Sequence, residues 1–293
     1  MYLGFYGLRQ EPFRLAPDPR FLHLAEPHRN ALRSMLEGVT GRKGLQVATG
    51  PVGTGKTTLL YCLQHILTHE ATPAHPLRSA FVVNPTLSQE EFYETLLDEL
   101  GLPAQASKPA SLRELHRFML KASRENGNVV VIVDEAHLIT PALLEEIRLL
   151  ANLDNYPKSV LQIILCGQPE LLAQLRSPEL SALKQRIAIF SHLRVLTLAE
   201  SRAYVAERLH VAGLNGESPF ASAAIDELHR LSGGVPRVIN LLCDRSLSIG
   251  FRQETKRVGT DCVAEAAEEL SLAPVRMDGM NSKAVDFSTA STV

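Results

Sequence analysis

Gly50-Pro51-Val52-Gly53-Thr54-Gly55-Lys56-Thr57 spells G-x-x-x-x-G-K-T, a spacing that dictates what must surround it. Glycines at 50, 53 and 55 let the backbone fold tightly round an anion and turn its N–H groups inward. Lys56 is then placed to reach the β- and γ-phosphates of a nucleotide, and the Thr57 hydroxyl to ligate Mg²⁺. Such a loop runs from a buried strand into a helix whose positive dipole end faces the phosphates, so the chain must supply both. A string this short also suits a structural glycine turn, and the flanks decide between the two.

Gly44–Thr49 reads as the entering strand. Thr58 onward reads as the helix, with apolar residues at 59, 63, 66 and 67. A second element strengthens the pair. Val129-Val130-Val131-Ile132-Val133 is a continuous β-branched run suited to a parallel strand covered on both faces, and it ends in Asp134-Glu135. Alone, two carboxylates there suit a solvated loop. Opposite a phosphate loop, Asp134 is expected to hold Mg²⁺ and Glu135 to orient and polarise the attacking water.

Strands and helices alternate from 44 to 196. Further strands are expected at Ser79–Val83, Val160–Leu165 and Ile187–Leu196. Ser88-Gln89-Glu90-Glu91 and Ser111-Leu112-Arg113-Glu114 read as capping boxes, with Leu102–Ala110 a Pro-containing loop between their helices, and Thr140-Pro141 opens another helix. The pattern predicts an α/β fold, a P-loop parallel sheet with helices on both faces. From 197 to 271 only helical patterns remain: Thr197-Leu198-Ala199-Glu200 is a third capping box, Gly233-Gly234 a stop and Pro236 a start. This predicts a small all-helical lid. Residues 272–293, rich in Ser and Thr, predict a disordered tail. Residues 1–43 carry Tyr2, Phe5, Tyr6, Phe13 and Phe21, expected to pack on the P-loop core beside the base, a docking strip being the alternative.

Composition limits the partners. With 293 residues, 45% of them hydrophobic, and a net charge of −2, no global positive field calls for nucleic acid or anionic lipid. The four cysteines are far apart and form no CxxC pair, which suits reduced thiols. Neither a signal peptide nor a membrane span is read from the sequence. These features predict a cytoplasmic protein whose attachment to a membrane is peripheral and made through a partner.

Together the motifs resemble those of AAA+ ATPases, and within them the general secretion pathway protein A type. The resembling residues are Tyr6-Gly7-Leu8, Pro12-Phe13, Pro17-Asp18-Pro19-Arg20-Phe21-Leu22, the phosphate loop, Asp134-Glu135-Ala136-His137 and Leu149–Leu153. Further along they are Gly167-Gln168-Pro169-Glu170-Leu171, Gln185-Arg186-Ile187 and Gly233-Gly234-Val235-Pro236-Arg237-Val238-Ile239-Asn240. The resemblance implies ATP as the nucleotide, Mg²⁺ and a homo-oligomer (ring or filament). It implies Gln168 as a γ-phosphate sensor, where that family more often has Asn, Ser or Thr. It also implies Arg186 as an arginine finger reaching a neighbouring subunit's nucleotide, and Arg237 as a second sensor on the lid. From residue type alone Arg186 reads as a surface charge, whereas a cation at a helix start such as Arg237 is disfavoured unless it meets an anion.

Three roles follow. One is a motor or switch for secretion or cell-envelope assembly with a membrane-bound partner. Another is a DNA-binding regulator of transposition, less favoured by the balanced charge. The last is a slow, nucleotide-gated scaffold, against which Glu135 and Arg186 speak.

Overall fold

The computed structural model describes residues 2–16, 25–72, 74–152 and 159–272. After helix α1 (Glu26–Thr40) come β1 (Leu45–Thr49), α2 (Lys56–Glu70), β2 (Leu77–Val82), α3 (Gln89–Glu99), α4 (Lys108–Arg124) and β3 (Asn128–Val133). A 3-10 turn (Ala136–Leu138) leads to α5 (Pro141–Asn152), β4 (Leu161–Gly167), α6 (Glu170–Leu175), α7 (Ser181–Lys184) and β5 (Ile187–His192). Four helices end the described residues: α8 (Leu198–Val211), α9 (Ser222–Ser232), α10 (Pro236–Arg252) and α11 (Thr260–Glu269). Among the described residues no helix is long and apolar enough to cross a membrane.

The five strands form one sheet of order β2-β3-β4-β1-β5, every neighbouring pair parallel. Its period-two alternation sorts the side chains into two cores. Val129, Val131 and Val133 face one side with Phe92, Tyr93, Leu96 and Leu97 of α3, Met119 of α4 and Leu143, Leu144 and Ile147 of α5. Val130 and Ile132 face the other with Met35 and Val39 of α1 and Leu59, Leu60 and Leu63 of α2. Cover on both faces explains why β1 and β4 are buried along their whole length, the polar Gln46, Thr49 and Gln162 included.

The capping boxes at Ser88 and Thr197 form, each hydroxyl accepting from the third helical N–H while the Glu reaches back. The one expected at Ser111 does not. α4 starts at Lys108 behind Ser107, and the Ser111 hydroxyl donates to the Ser107 carbonyl from inside the helix. Pro109, taken as part of a loop, sits in the first turn, where its missing N–H costs nothing.

The lid formed by α8–α11 has a core of its own, holding Val205, Leu209, Leu228, Leu242, Leu247 and Val263. The start of the chain completes that core. Tyr2, Tyr6, Leu8 and Phe13 are buried there, and Phe5 stacks edge-on against Phe251. This corrects the expected seat of these aromatics on the ATPase core: among the described residues they pack with the lid helices, and the two tyrosine hydroxyls bond there. Tyr6 donates to the Thr255 carbonyl at 3.0 Å and Tyr2 to Asp244 at α10. Within residues 1–43 it is α1 that packs on the sheet. Phe21 and residues 273–293 lie outside the described residues.

Candidate nucleotide site

The loop after β1 hangs from the carboxyl end of the sheet, beside the end of β4: the Gly50 N–H donates to the Gly167 carbonyl at 3.2 Å. Ligands of open parallel sheets bind at that end. Gly53 and Gly55 have φ of +78° and +92°, a region closed to most residues with a Cβ. At Gly53 a Cβ would also stand 2.9 Å from the Arg237 Cβ and the Val235 Cγ1, so glycine is what lets α10 approach. The Arg237 N–H donates to the Gly53 carbonyl at 3.2 Å, which ties the lid to the loop.

Lys56 is buried and its Nζ donates to the carbonyls of Gly50 and Pro51 at 2.9 and 3.0 Å. Thr57 Oγ1 donates to Asp134 Oδ2 at 2.6 Å, and Asp134 is 2% exposed. Two hard oxygen donors brought together from the loop and from the end of β3 fit a divalent cation such as Mg²⁺. The other Asp134 oxygen accepts the Glu135 N–H at 2.8 Å. Glu135 itself is left-handed, φ +49°, a strained conformation for a residue with a side chain. Its Oε2 lies 3.4 Å from His137 Nδ1, and His137 Nε2 is 2.8 Å from the Gln168 amide nitrogen.

A cavity of about 260 Å³ opens over the loop, between sheet and lid. Val52, Gly53, Thr54, Gly55, Lys56, Thr57, Thr58, Glu135 and Arg237 line it. Asp134 joins through Thr57, and Gly50 and Pro51 through Lys56. Gln168 stands just after the end of β4 and, among the described residues, is joined to Glu135 by way of His137. Arg186 is not brought in: it is exposed at the start of β5. Its neighbour Ile187 pairs with Leu45, the residue of β1 farthest from the loop.

Sequence reasoning missed the far wall. Arg14, Leu15, Ala16, His28, Tyr204, Arg208 and Asn240 line the cavity too. His28 Nε2 donates to the Thr54 carbonyl at 2.7 Å. Arg208, buried in the lid, donates through Nε to the Pro12 carbonyl at 2.5 Å. Asn240 ends the stretch 233–240 that carries the likeness, with no site role read for it there, and no local motif marks the others, which reach the cavity through tertiary packing.

Sheet order, phosphate loop, acidic strand end and helical lid define a P-loop ATPase module of the AAA+ class. A family model described as "AAA domain" matches residues 39–175. Over 92% of its length the chain is 40% identical to General secretion pathway protein A of Aeromonas hydrophila, of which it spans about half, 49%. The chain belongs to the AAA ATPases and is similar to the general secretion pathway protein A type over nearly its whole length. Solved structures share the fold at low identity. The Aeropyrum pernix ORC2 protein superposes with TM-score 0.63 at 18% identity, covering 89% of this chain and 71% of that one. Cdc6p of Pyrobaculum aerophilum gives 0.66 at 16%, covering 87% and 71%. The Thermotoga maritima RuvB branch migration motor gives 0.56 at 21%, covering 90% and 74%.

Proposed function

We propose that this chain binds ATP with Mg²⁺ in the cavity over the loop and hydrolyses it when assembled with copies of itself. In this reading it is a motor or switch for secretion or cell-envelope assembly. The observation that carries the reading is the convergence of Lys56, Thr57, Asp134, Glu135 and Arg237 from loop, strand end and lid upon one cavity.

The chemistry is charge placement. The loop N–H groups and Lys56 cradle the phosphates, and Lys56 exchanges its two carbonyl partners for phosphate oxygens. Thr57 and Asp134 hold Mg²⁺, which when bound offsets phosphate charge. Glu135 orients the attacking water and takes up its proton. Arg237, fixed to Gly53, closes the lid over the phosphates, and Gln168 reports on the γ-phosphate through His137. Arg186, at the opposite end of β5 from its own loop, acts on a neighbouring copy's nucleotide. A role in secretion rests on the likeness to General secretion pathway protein A. In that role a membrane-bound partner recruits the chain to the inner membrane from the cytoplasmic side.

The fold neighbours include a Drosophila ORC bound to DNA, so a DNA-regulated ATPase is the second reading. ATP turnover measured against protein concentration, at low salt, with and without duplex DNA, separates them. Steep concentration dependence without a DNA response supports the envelope role. Strong stimulation by DNA shifts the reading to a DNA-bound assembly, and turnover per subunit that is independent of concentration contradicts assembly-dependent catalysis.

A further inference from the structure

Three buried polar side chains line the cavity without belonging to its phosphate side: Tyr204 and Arg208 on α8, and Asn240 on α10. They form a hydrogen-bonded chain with a fixed direction. Arg208 Nη1 donates to the Tyr204 hydroxyl at 2.8 Å, because a guanidinium has donors and no acceptor. Burial pushes the Tyr204 hydroxyl up from its ordinary value, so the phenol keeps its proton and gives it to Asn240 Oδ1 at 2.8 Å. Asn240 must therefore offer its carbonyl to Tyr204, which turns its amide N–H₂ the other way. That nitrogen has no hydrogen-bond partner among the described residues, although Asn240 is only 6% exposed. That N–H₂ therefore opens onto the cavity that Asn240 lines, where a solvent molecule or a ligand accepts from it.

We infer that Asn240 reads the nucleoside part of the bound nucleotide, donating its amide N–H to a ribose oxygen or a ring nitrogen of the base. The position on α10 favours nucleoside over phosphate. Arg237, bonded to Gly53, occupies the phosphate side, and Asn240 lies one turn on, about 4.5 Å further along the axis. Leu15 and Ala16 from the chain start line the same cavity. Arg208 Nε and Nη2 hold that segment by the Pro12 and Arg14 carbonyls at 2.5 and 3.2 Å. Nucleoside recognition and the seating of residues 12–16 thus share one polar chain. Asn240 is in this account a specificity residue and takes no part in bond breaking.

The inference rests on the cavity being a nucleotide site, and the test keeps the two apart. ADP, ATP and inorganic tripolyphosphate are titrated against the wild type, Asn240→Leu, and the double variant Tyr204→Phe with Asn240→Leu. The double variant removes both sides of the Tyr204–Asn240 hydrogen bond, so a loss shared by the two variants does not come from a stranded Tyr204 hydroxyl, and a thermal melt of each checks that it is folded. Both variants should weaken ADP and ATP by the same factor, about ten-fold, and leave tripolyphosphate unchanged. Unchanged ADP affinity overturns the inference. So does a loss confined to ATP or shared by tripolyphosphate, since that places Asn240 at the phosphates. A wild type that binds none of the three overturns the nucleotide site itself, and the inference with it.

Discussion

The sheet and the lid reach closed cores by different routes. The sheet is buried by helices that follow or precede its strands closely in the chain, each offering an apolar face of its own. The lid's four helices are finished by residues 2–13, with Phe13 edge-on to Phe220 at 6.2 Å between ring centres and the Arg9 N–H on the Ala212 carbonyl. One core is built from neighbours in sequence, the other from the two ends of the described chain. The cleft between them is therefore bounded by the chain start as well as by the phosphate loop. Asp134 and Glu135 stand on the sheet side, and Arg237 and Asn240 on the lid side.

If chemistry belongs to the sheet side and is completed by a neighbouring copy, Arg186→Ala should cause the largest change. Turnover at saturating ATP should fall by about 10³-fold or more with ATP affinity kept. Full turnover of the variant at high protein concentration would remove Arg186 from that role.

Next comes the dependence of the lid on the chain start. Phe13 is 2% exposed, and Phe13→Ala should cost about 3–5 kcal/mol, read by thermal melting as an earlier lid transition while the sheet transition stays in place. A single unshifted melt would show that the chain start does not support the lid core.

The junction of the two regions should be pH-sensitive. The hydrogen-bonded Arg194 guanidinium, and then the Thr197 groups, hold the Glu200 carboxyl down to about 2 from its ordinary 4.5. A depressed carboxylate stabilises the folded state above its unfolded value, so this contribution is complete above about pH 4.5 and lost as pH falls toward 2. The melting-temperature gap between wild type and Glu200→Gln should be widest at neutral pH and close through that window. A gap independent of pH would contradict the assignment.

The smallest effect separates a true cap from a false one on the sheet side. Ser88→Ala should cost about 1 kcal/mol in a denaturant titration, and Ser111→Ala only a few tenths, because Ser111 back-bonds within its helix. Equal costs would restore Ser111 as a cap.

That last pair shows what was legible in the sequence and what was not. S-x-x-E at Ser88 and Ser111 is the same string, and only the Ser107 N-cap and Pro109 in the first turn, seen in the fold, tell them apart. The central strand β3 was legible because burial on both faces writes itself as the β-branched run of residues 129–133. The phosphate loop and the Asp134-Glu135 strand end were legible because their chemistry needs fixed spacing. The aromatics of the chain start were legible as core residues, but not which core: their pattern carries no address, and the pairing of Tyr6 with Gly250, where a Cβ would stand 2.5 Å from its hydroxyl, joins positions far apart in sequence. The same holds for His28, Tyr204, Arg208 and Asn240, which reach the cavity from four separate turns of helix.

The most direct measurement of the central claim is equilibrium binding of ATP, with Mg²⁺, to the wild type and to Lys56→Ala. The account predicts saturable binding by the wild type and a loss of about 100-fold or more in the variant, since Lys56 supplies a charge-assisted contact inside a buried loop. Equal affinity in both would contradict it, because the nucleotide would then lie outside the cleft between sheet and lid.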